Sequence, residues 1–360
     1  MDEQNTFSRP RIPAAVLGAT GAVGQRFVQL LDGHPWFEVV AVTGSDRAVG
    51  QKYGQTCHWV LPEPMPDWAR GLEVLPTDPE KVDAPVAFSA LPAYVAKEAE
   101  PAFAQQGVAV CSNASAFRME PDVPLILPEV NPGHTGLVKH QRQARNWPGL
   151  IVTNPNCTIT GLTIVLKPLL DGFGIKRLMA VSMQAISGAG YPGVPSMDVL
   201  SNVVPFIEGE EEKMEWEPCK MLGSLQDGTI ALADFQISAH ANRVPVPEGH
   251  MVCLSVELAQ PVAIQEVAQA ISHFQPLEIS RSLPSAPKPV ILLKDEPDRP
   301  QPRLDIMTGD GMTTVAGRLR PDPLLDYKMV ILSHNTIRGA AGGSIYNAEL
   351  LVKQGLIPNG

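Results

Sequence analysis

The chain has 360 residues and a formal net charge of −10; 44% of its residues are hydrophobic and 18% are charged. This composition is typical of a globular protein, and the length predicts two domains. The acidic balance offers no basic surface for nucleic acid or anionic lipid, so we expect a small dissolved molecule as the partner. No apolar run reaches the ~18 residues of a membrane span, and the polar start MDEQNTFSRPRIP lacks the apolar region of a signal peptide.

The five cysteines are odd in number, scattered along the chain and free of any CxxC pair: Cys57, Cys111, Cys157, Cys219 and Cys253. This spacing argues against a disulfide framework or a zinc cluster, and we predict no metal site. A reducing cytoplasm is the compartment that fits this cysteine usage best.

The first 130 residues alternate short apolar runs with helical stretches, which predicts a parallel α/β sheet. Strands are predicted in AAVLGA (14–19), FEVVAVTG (37–44), PVAFSAL (85–91), VAVCSN (108–113) and VPLILPEV (123–130). Helices are predicted in AVGQRFVQLLDGH (22–34) and AYVAKEAEPAFAQQ (93–106).

A glycine-rich turn, GATGAVG, stands between the first strand and its helix, with Gly18, Gly21 and Gly24 at a spacing of three. Such a turn points backbone N–H groups at a phosphate, with the positive end of the helix dipole behind them. The context predicts a Rossmann-like dinucleotide site, although the spacing differs from the usual GxGxxG. A tight strand–helix turn without a ligand is the alternative.

The second strand runs into TGSDRAVGQKYG (43–54), the stretch that selects the cofactor in this kind of fold. NAD-binding proteins usually place an acidic residue at the end of this strand to hold the ribose diol. Ser45 and Arg47 suit the additional 2′-phosphate of NADP better, while Asp46 between them leaves a diol partner in place. A solvated charge is the alternative interpretation of Arg47.

The stretch TNPNCTITG (153–161) places Cys157 between a turn-forming loop and a run of apolar residues at helical spacing. We therefore expect Cys157 in the first turn of a helix, where free N–H groups and the dipole lower the pKa of a thiol. The alternative is a buried structural cysteine, because free cysteine is among the most buried residue types.

Beyond Cys157 the apolar runs lengthen, and few helices separate the last of them. The runs are RLMAVSMQAI (177–186), MVCLSVELA (251–259), PVILLKD (289–295), TTVAGRLR (313–320) and KMVILSH (328–334). They predict a mixed or antiparallel sheet, which often makes a subunit interface. The chain closes with RGAAGGSIYNAELLVKQG (338–355), a predicted helix that returns to the first domain.

Three further stretches carry chemistry. QAISGAGYPG (184–193) ends a strand in small residues, against which a flat nicotinamide ring can lie. ANRVPVPEGH (241–250) holds Arg243 and His250 before a strand, and a histidine there can act as general acid and base. IEGEEEKMEWE (207–217) carries Glu210 and Lys213 on one face if helical. A surface histidine, a salt-bridge arginine and a solvated helix face are the alternatives.

Together, GATGAVG, NPNCT, SGAGYPG and NRVPVPEGH occur in the order seen in aspartate-semialdehyde dehydrogenases, and the chain most resembles the archaeal and fungal type. The resemblance implies a Rossmann-like NADP-binding domain (1–156), an α+β catalytic and dimerisation domain with a mixed or antiparallel sheet (157–333), and a C-terminal helix returning to the cofactor domain (334–360). It also implies a homodimeric or homotetrameric enzyme. Its implied reaction is the NADPH-dependent reduction of L-4-aspartyl phosphate to L-aspartate 4-semialdehyde, which feeds lysine, methionine and threonine synthesis.

The resemblance also implies roles for individual residues. Cys157 matches the nucleophile, His250 the acid/base residue, Arg243 the partner of the substrate α-carboxylate and Glu210 that of the α-amino group. Lys213, Arg118 and Asn113 match the phosphate-binding set. Cofactor positions are matched by Gly18, Thr20, Gly21, Ala22, Val23, Ser45, Arg47, Ser89, Ser187, Gly188 and Asn335.

The stretch after the second strand departs from this subtype, because Ala48 and Gln51 stand where polar residues are common. Some use of NAD therefore stays open. A related acyl-thioester reductase acting on malonyl-CoA and a non-catalytic NADP-binding regulator are the rival functions. The stretches EGEEEKM and NRVPV argue against the reductase, since they supply groups that an amino-acid substrate needs. Retention of Cys157 and His250 argues against the regulator.

Overall fold

The computed structural model describes residues 10–357. Its first sheet has six parallel strands in the order β3-β2-β1-β4-β5-β6. The strands are β1 (Ile12–Leu17), β2 (Phe37–Thr43), β3 (Val74–Leu75), β4 (Val86–Ser89), β5 (Ala109–Ser112) and β6 (Leu150–Thr153). The helices between them are α1 (Ala22–Leu30), α2 (Tyr53–Thr56), α3 (Asp67–Arg70), α4 (Ala93–Gln105) and α5 (Leu137–Arg145). The predicted parallel α/β sheet is confirmed.

The glycine turn lies at the carboxyl end of β1, beside the point where the strand order reverses between β1 and β4. Ligands of open parallel sheets bind at this point. Gly18 has a φ of +75°, which side chains rarely adopt. A Cβ on Gly24 would lie 2.3 Å from the Gly18 carbonyl oxygen, so α1 approaches the turn more closely than any other residue permits.

The predicted strand at residues 123–130 is wrong. The segment is buried, but only one isolated bridge, from Leu125 to Thr153, joins it to the sheet. Pro124 and Pro128 lack the N–H groups that a ladder needs. The Asn131 side chain takes over part of the pairing, since it accepts from the Leu127 N–H and donates to the Leu125 carbonyl oxygen, both at 2.8 Å.

The second sheet has six strands in the order β10-β7-β11-β14-β13-β12, and a two-stranded ribbon pairs β8 with β9. Its parallel pairs are β10 with β7 and β12 with β13, while the other pairs are antiparallel. The predicted mixed sheet is therefore confirmed. The strands are β7 (Ile175–Gln184), β8 (Ser224–Gln226), β9 (Thr229–Ala231), β10 (Gln236–Arg243), β11 (His250–Leu258), β12 (Ile291–Lys294), β13 (Thr314–Pro321) and β14 (Tyr327–Ser333).

Helices cover one face of the second sheet. The helices in this part of the chain are α6 (Cys157–Phe173), α7 (Ser196–Val199), α8 (Glu210–Met221), α9 (Ile264–Ser272), α10 (Glu278–Arg281) and α11 (Pro302–Asp305). Of these, α6, α8 and α9 pack on the second sheet. The long α6 packs its apolar residues on β11 and β14, and α8 packs beside β10. On β7, Leu178 and Ala180 face these helices, whereas Met179 is 41% exposed on the opposite face. Among residues 10–357 that opposite face is open at β7, whereas at β14 it is covered, since Leu332 is 1% exposed.

The last helix, α12 (Gly342–Lys353), is buried along almost its whole length and packs on α1, β4 and β5 of the first sheet. A short π-helical turn, Ile337–Ala341, leads into it past α6. The domain limits at residues 156 and 333 remain predictions. Across residues 10–357, none of the helices combines the length and the apolar character needed to traverse a bilayer.

Candidate active site

Cys157 is the first residue of α6, as predicted. The helix is capped by Asn156, whose Oδ1 accepts from the Thr158 N–H at 2.9 Å. The Asn156 N–H is itself taken by Glu217 Oε2 at 2.7 Å. Within residues 10–357 the Cys157 N–H has no hydrogen-bond partner in another residue. It is a donor at this helix terminus that can meet an oxygen of a substrate bound to the thiol.

The pKa of the Cys157 thiol departs from the expectation for a helix terminus. Burial, and to a lesser extent the Glu210 carboxylate, raise this pKa to about 12, although Arg118, Arg243 and the Cys157 N–H act in the opposite direction. The expectation of a lowered pKa is therefore wrong for the unliganded protein, because desolvation outweighs the dipole. The resting residue is a thiol that loses its proton during the reaction.

His250, the first residue of β11, is 2% exposed. Its Nδ1 accepts a hydrogen bond from the Ala185 N–H at 3.0 Å, so a neutral ring carries its proton on Nε2. Nε2 is buried and has no hydrogen-bond partner among the described residues. Burial, followed by Arg243 and His334, lowers the pKa of His250 to about 3. The imidazole is thus a neutral hydrogen-bond donor at physiological pH.

Arg243, the last residue of β10, is held by the same backbone unit as His250. Its Nη1 donates to the Ala185 carbonyl oxygen at 2.7 Å. A Cβ built on Gly188 would lie 2.9 Å from both Arg243 Nη1 and His250 Nε2. The two side chains therefore converge on Gly188, and only a glycine there leaves room for them.

Glu210, the first residue of α8, lies at the centre of a polar cluster. Its carboxylate accepts from Asn156 Nδ2 at 2.9 and 2.8 Å, from Lys213 Nζ at 2.8 Å and from Gln184 Nε2 at 3.1 Å. Burial opposes ionisation, but Lys213 and the two amides lower the pKa of Glu210 below its ordinary value. Glu210 is therefore charged, and it ties α8 to the loop that precedes Cys157.

Arg118 and Asn113 line the same cavity as Cys157. Arg118 Nη2 donates to the Asn113 carbonyl oxygen at 2.8 Å, and Nη1 lies 3.1 Å from Glu217 Oε1. Arg118 is buried, with 7% of the residue exposed. Two cations, Arg118 and Arg243, thus act on the thiol of Cys157.

One cavity of about 490 Å³ joins the glycine turn to Cys157. Among the predicted residues, its lining contains Gly21, Ala22, Val23, Asn113, Arg118, Cys157, Ser187, Gly188 and Asn335. It therefore brings six predicted cofactor residues to the nucleophile. A ligand whose phosphates lie on the glycine turn can reach the thiol through this space.

The other predicted cofactor residues lie elsewhere. Ser45 and Arg47 are exposed beyond the carboxyl end of β2, and Ser89 ends β4 with its Oγ buried and lacking a hydrogen-bond partner within the described chain. Gly18 and Thr20 belong to the turn itself. None of these five residues lines the cavity at Cys157.

Asn335 orders the loop that precedes His250. Its side chain accepts from the Gly249 N–H and donates to Ser187 Oγ, both at 2.8 Å. Asn335 thus joins the residue before His250 to the residue before Gly188.

Three polar residues of the site were missed by the sequence analysis as functional residues: Asn156, Gln184 and Glu217. Asn156 had a signal, because it stands inside the NPNC motif at a helix-cap position. Gln184 ends a strand, and Glu217 follows Glu210 by two helical turns. For these two residues, position in the chain is the one feature of the sequence that could have indicated a role in the site. Their contacts join segments that are far apart in the chain.

Comparison with known proteins covers almost the whole chain. Residues 13–137 match a family model described as the NAD binding domain of semialdehyde dehydrogenase, and residues 166–338 match its dimerisation domain. An aspartate-semialdehyde dehydrogenase of Archaeoglobus fulgidus is 50% identical over 347 residues, which are 96% of this chain and 100% of the relative. One of Methanothermobacter thermautotrophicus is 49% identical, covering 94% and 99% of the two chains.

Among solved structures, aspartate-semialdehyde dehydrogenase with NADP from Candida albicans superposes with a TM-score of 0.89 at 42% identity. The match covers 97% of this chain and 100% of that one. The matches therefore span nearly the full length of this chain and of these relatives. The chain therefore belongs to the aspartate-semialdehyde dehydrogenase family.

Proposed function

We propose that this protein is an NADP-dependent oxidoreductase that reduces L-4-aspartyl phosphate to L-aspartate 4-semialdehyde through a thioester on Cys157. The observation that carries this proposal is the cavity that joins the glycine turn to Cys157, with Arg118 in its lining. Arg243 and His250 converge on Gly188 in the same lining. The product feeds lysine, methionine and threonine synthesis.

Residues of the first sheet fit a dinucleotide. The turn at Gly18 and the close approach of Gly24 bring the N-terminus of α1 to the position where a pyrophosphate binds. Ser89 ends β4, the strand beside β1 at the point where the strand order reverses, and this position suits contact with a bound cofactor. NADPH, when bound, supplies the hydride. We infer that residues 1–156 form the cofactor unit, residues 157–333 the catalytic unit and residues 334–360 a returning helix.

Charged groups near Cys157 account for substrate recognition. Arg243 can form two parallel hydrogen bonds with the α-carboxylate, a geometry that lysine does not reproduce. The ionised Glu210 suits the α-ammonium group. Arg118, with Asn113 in the cavity and Lys213 beside Glu210, suits the phosphate.

In the first step, Cys157 sulfur forms a bond to the acyl carbon while the bond from that carbon to the phosphate oxygen breaks. The departing phosphate needs one proton and the thiol has one to lose, so the step balances without a separate base. The raised pKa of Cys157 supports this coupling, since the resting residue keeps its proton. The unpaired N–H of Cys157 suits the oxygen of the tetrahedral intermediate.

In the second step, the thioester carbon accepts the hydride and its oxygen becomes negatively charged. His250 Nε2–H, whose tautomer is set by the Ala185 N–H, is the group proposed to stabilise this oxygen. Collapse of the intermediate expels the Cys157 thiolate, which then takes up one proton from solution. The general acid–base role predicted for His250 becomes, on this geometry, that of a neutral hydrogen-bond donor.

The decisive assay uses purified protein, aspartate semialdehyde and NADP, with and without inorganic phosphate. We expect NADPH to accumulate beyond one equivalent per active site only when phosphate is present, because phosphate must release the acyl group from Cys157 before the next turnover. Malonate semialdehyde with CoA is the comparison. Turnover that requires CoA and ignores phosphate would assign the chain to the rival acyl-CoA reductases.

Replacing Arg47 with Ala is expected to raise the KM for NADP about tenfold or more, the loss of one charge-assisted hydrogen bond of about 1.5–3 kcal/mol. The KM for NAD should stay within a factor of two, since NAD has no 2′-phosphate. Both constants come from initial rates of the reverse reaction. Arg303→Ala, at another exposed arginine, is the control. Equal effects of Arg47→Ala on both cofactors would show that Arg47 does not contact the 2′-phosphate.

The family model places a dimerisation domain in the second half of the chain. We infer a homodimer built on the open part of the second sheet, on the face opposite its helices. Val181 lies directly opposite the exposed Cys253 there, and Met179 of the same strand is 41% exposed. Such a face is stabilised by burial against a second copy. Sedimentation should give twice the chain mass of 38.7 kDa, and four times that mass would indicate a homotetramer.

A further inference from the structure

Glu217 contacts both Arg118 and Asn156, the residue that precedes the nucleophile, although Glu217 itself does not line the cavity. It lies on the inner face of α8 and is 2% exposed. Its Oε1 lies 3.1 Å from Arg118 Nη1, and its Oε2 accepts from the Asn156 N–H at 2.7 Å. One carboxylate thus holds both the cation proposed for phosphate and the residue that caps the nucleophile helix.

Lys220, one helical turn further along α8, holds the backbone that carries Arg118. Its Nζ donates to the carbonyl oxygens of Arg118, Glu120 and Val123 at 2.7, 2.8 and 3.0 Å. Lys220 is 3% exposed, so these three carbonyl groups replace water as its partners. The segment 118–123 is therefore attached to α8 through its main chain as well as through the Arg118 side chain.

The two contacts of Glu217 also determine which donors stay available. Glu217 occupies one N–H of Arg118, and the Asn113 carbonyl oxygen occupies another, which leaves three of the five guanidinium N–H groups. Glu217 also accepts the hydrogen bond of the Asn156 N–H, so that this N–H is not available to a ligand, whereas the Cys157 N–H is. The carboxylate therefore selects the direction from which an anion can approach Arg118.

We propose that Glu217 is a positioning residue for the phosphate subsite, an inference that rests on the function proposed above. It acts through Arg118, whose guanidinium it orients toward the cavity, and not by contact with the substrate. A buried carboxylate between two donors suits this task, because each oxygen accepts from one donor. Glutamine is a poor substitute, since its NH₂ group would face either Arg118 or the Asn156 N–H, both of which are donors.

The test compares Glu217→Gln with Glu212→Gln, the same change at an exposed position of the same helix. For Glu217→Gln we expect a KM for inorganic phosphate at least tenfold above wild type. The KM for aspartate semialdehyde should stay within a factor of three, because its carboxylate and ammonium partners are untouched. Glu212→Gln should leave both constants unchanged. A purely structural role would lower the yield of folded enzyme and spare the ratio of the two constants.

A second comparison places Glu217→Gln in an Arg118→Ala background. If Glu217 acts through Arg118, the added change should alter the KM for phosphate by less than twofold. The proposal would be overturned if the fold-change in the KM for phosphate of the double variant equalled the product of those of the two single variants. A fall in that KM in Glu217→Gln would also overturn it. If Glu217→Gln does not fold, Glu217→Asp replaces it in both comparisons. Aspartate keeps the charge but is shorter by one methylene, so the KM for phosphate should again rise.

Phosphate protection separates this inference from the proposed function. The readout is the phosphate concentration that half-protects Cys157 from iodoacetamide at pH 9, measured by mass spectrometry of the labelled peptide. Glu217→Gln should raise that concentration at least tenfold even if the wild-type protein turned out to use another acyl substrate. Wild-type turnover that needs no phosphate would refute the proposed function. Equal protection of wild type and Glu217→Gln would refute the role of Glu217.

Discussion

Replacing Cys157 with Ala is expected to abolish phosphate-dependent turnover, by on the order of 10⁴-fold or more, because the thioester cannot form. Cys157→Ser should be nearly as inactive, since an alcohol is a far weaker nucleophile at neutral pH. Folding and NADP binding should persist, because Asn156 caps α6 independently of the sulfur. Initial rates, thermal unfolding and NADP titration of each variant give the three readouts.

Cys57→Ala is the matched control, since Cys57 lies at the edge of the hydrophobic core beside the first sheet and does not line the cavity. It should retain wild-type turnover. Because the pKa of Cys157 is raised to about 12, the thiolate fraction of the unliganded protein grows about tenfold per pH unit between pH 7 and pH 10. The rate of Cys157 alkylation should rise in proportion. A rate that levels off below pH 8 would contradict this pKa, and activity in Cys157→Ala would remove Cys157 as the nucleophile.

Replacing His250 with Ala is expected to lower kcat by about 10²–10⁴, the usual scale of help from a positioned proton donor. The KM for aspartate semialdehyde should change less, because Arg243 keeps its own bond to the Ala185 carbonyl oxygen. His250→Gln retains an N–H donor and should recover part of the loss. Single-turnover rates of NADPH formation measure the effect on chemistry. A loss confined to KM would show that His250 binds substrate and takes no part in the reaction.

The pKa of His250 also predicts a pH dependence. Because this folded-state pKa is lowered to about 3, the ring is neutral above about pH 4, and its proton sits on Nε2. The folded protein therefore binds one proton fewer than the unfolded chain between that pKa and the ordinary histidine pKa. Stability gained from the neutral ring is full above the unfolded pKa and is lost as the pH falls toward 3. Nitrogen-15 shifts of His250 should show the Nε2–H tautomer from pH 5 to pH 8. A titration near pH 6.5 would contradict this and restore the general acid–base role.

The parts of the protein that depend on local pattern were predicted from the sequence. The alternation of strands and helices, the glycine turn before α1 and the start of α6 at Cys157 follow from spacing, turn residues and capping residues. The prediction at residues 123–130 was wrong because apolar composition does not reveal how Pro124 and Pro128 are accommodated. The expected thiol pKa of Cys157 was wrong because burial depends on what packs around the residue.

The amino-acid sequence by itself determined the class of fold, the family resemblance and the identity of the candidate nucleophile and histidine. Only the tertiary structure decided the protonation and the orientation of these two residues. The Ala185 backbone holds His250 and Arg243 from 65 and 58 positions away, and Glu217 reaches Asn156 across 61 positions. Such contacts leave no periodic trace in the chain, since they depend on which strands pair and where helix α8 docks. Local propensity acts over a few residues, whereas protonation and orientation here are set by neighbours that packing brings together.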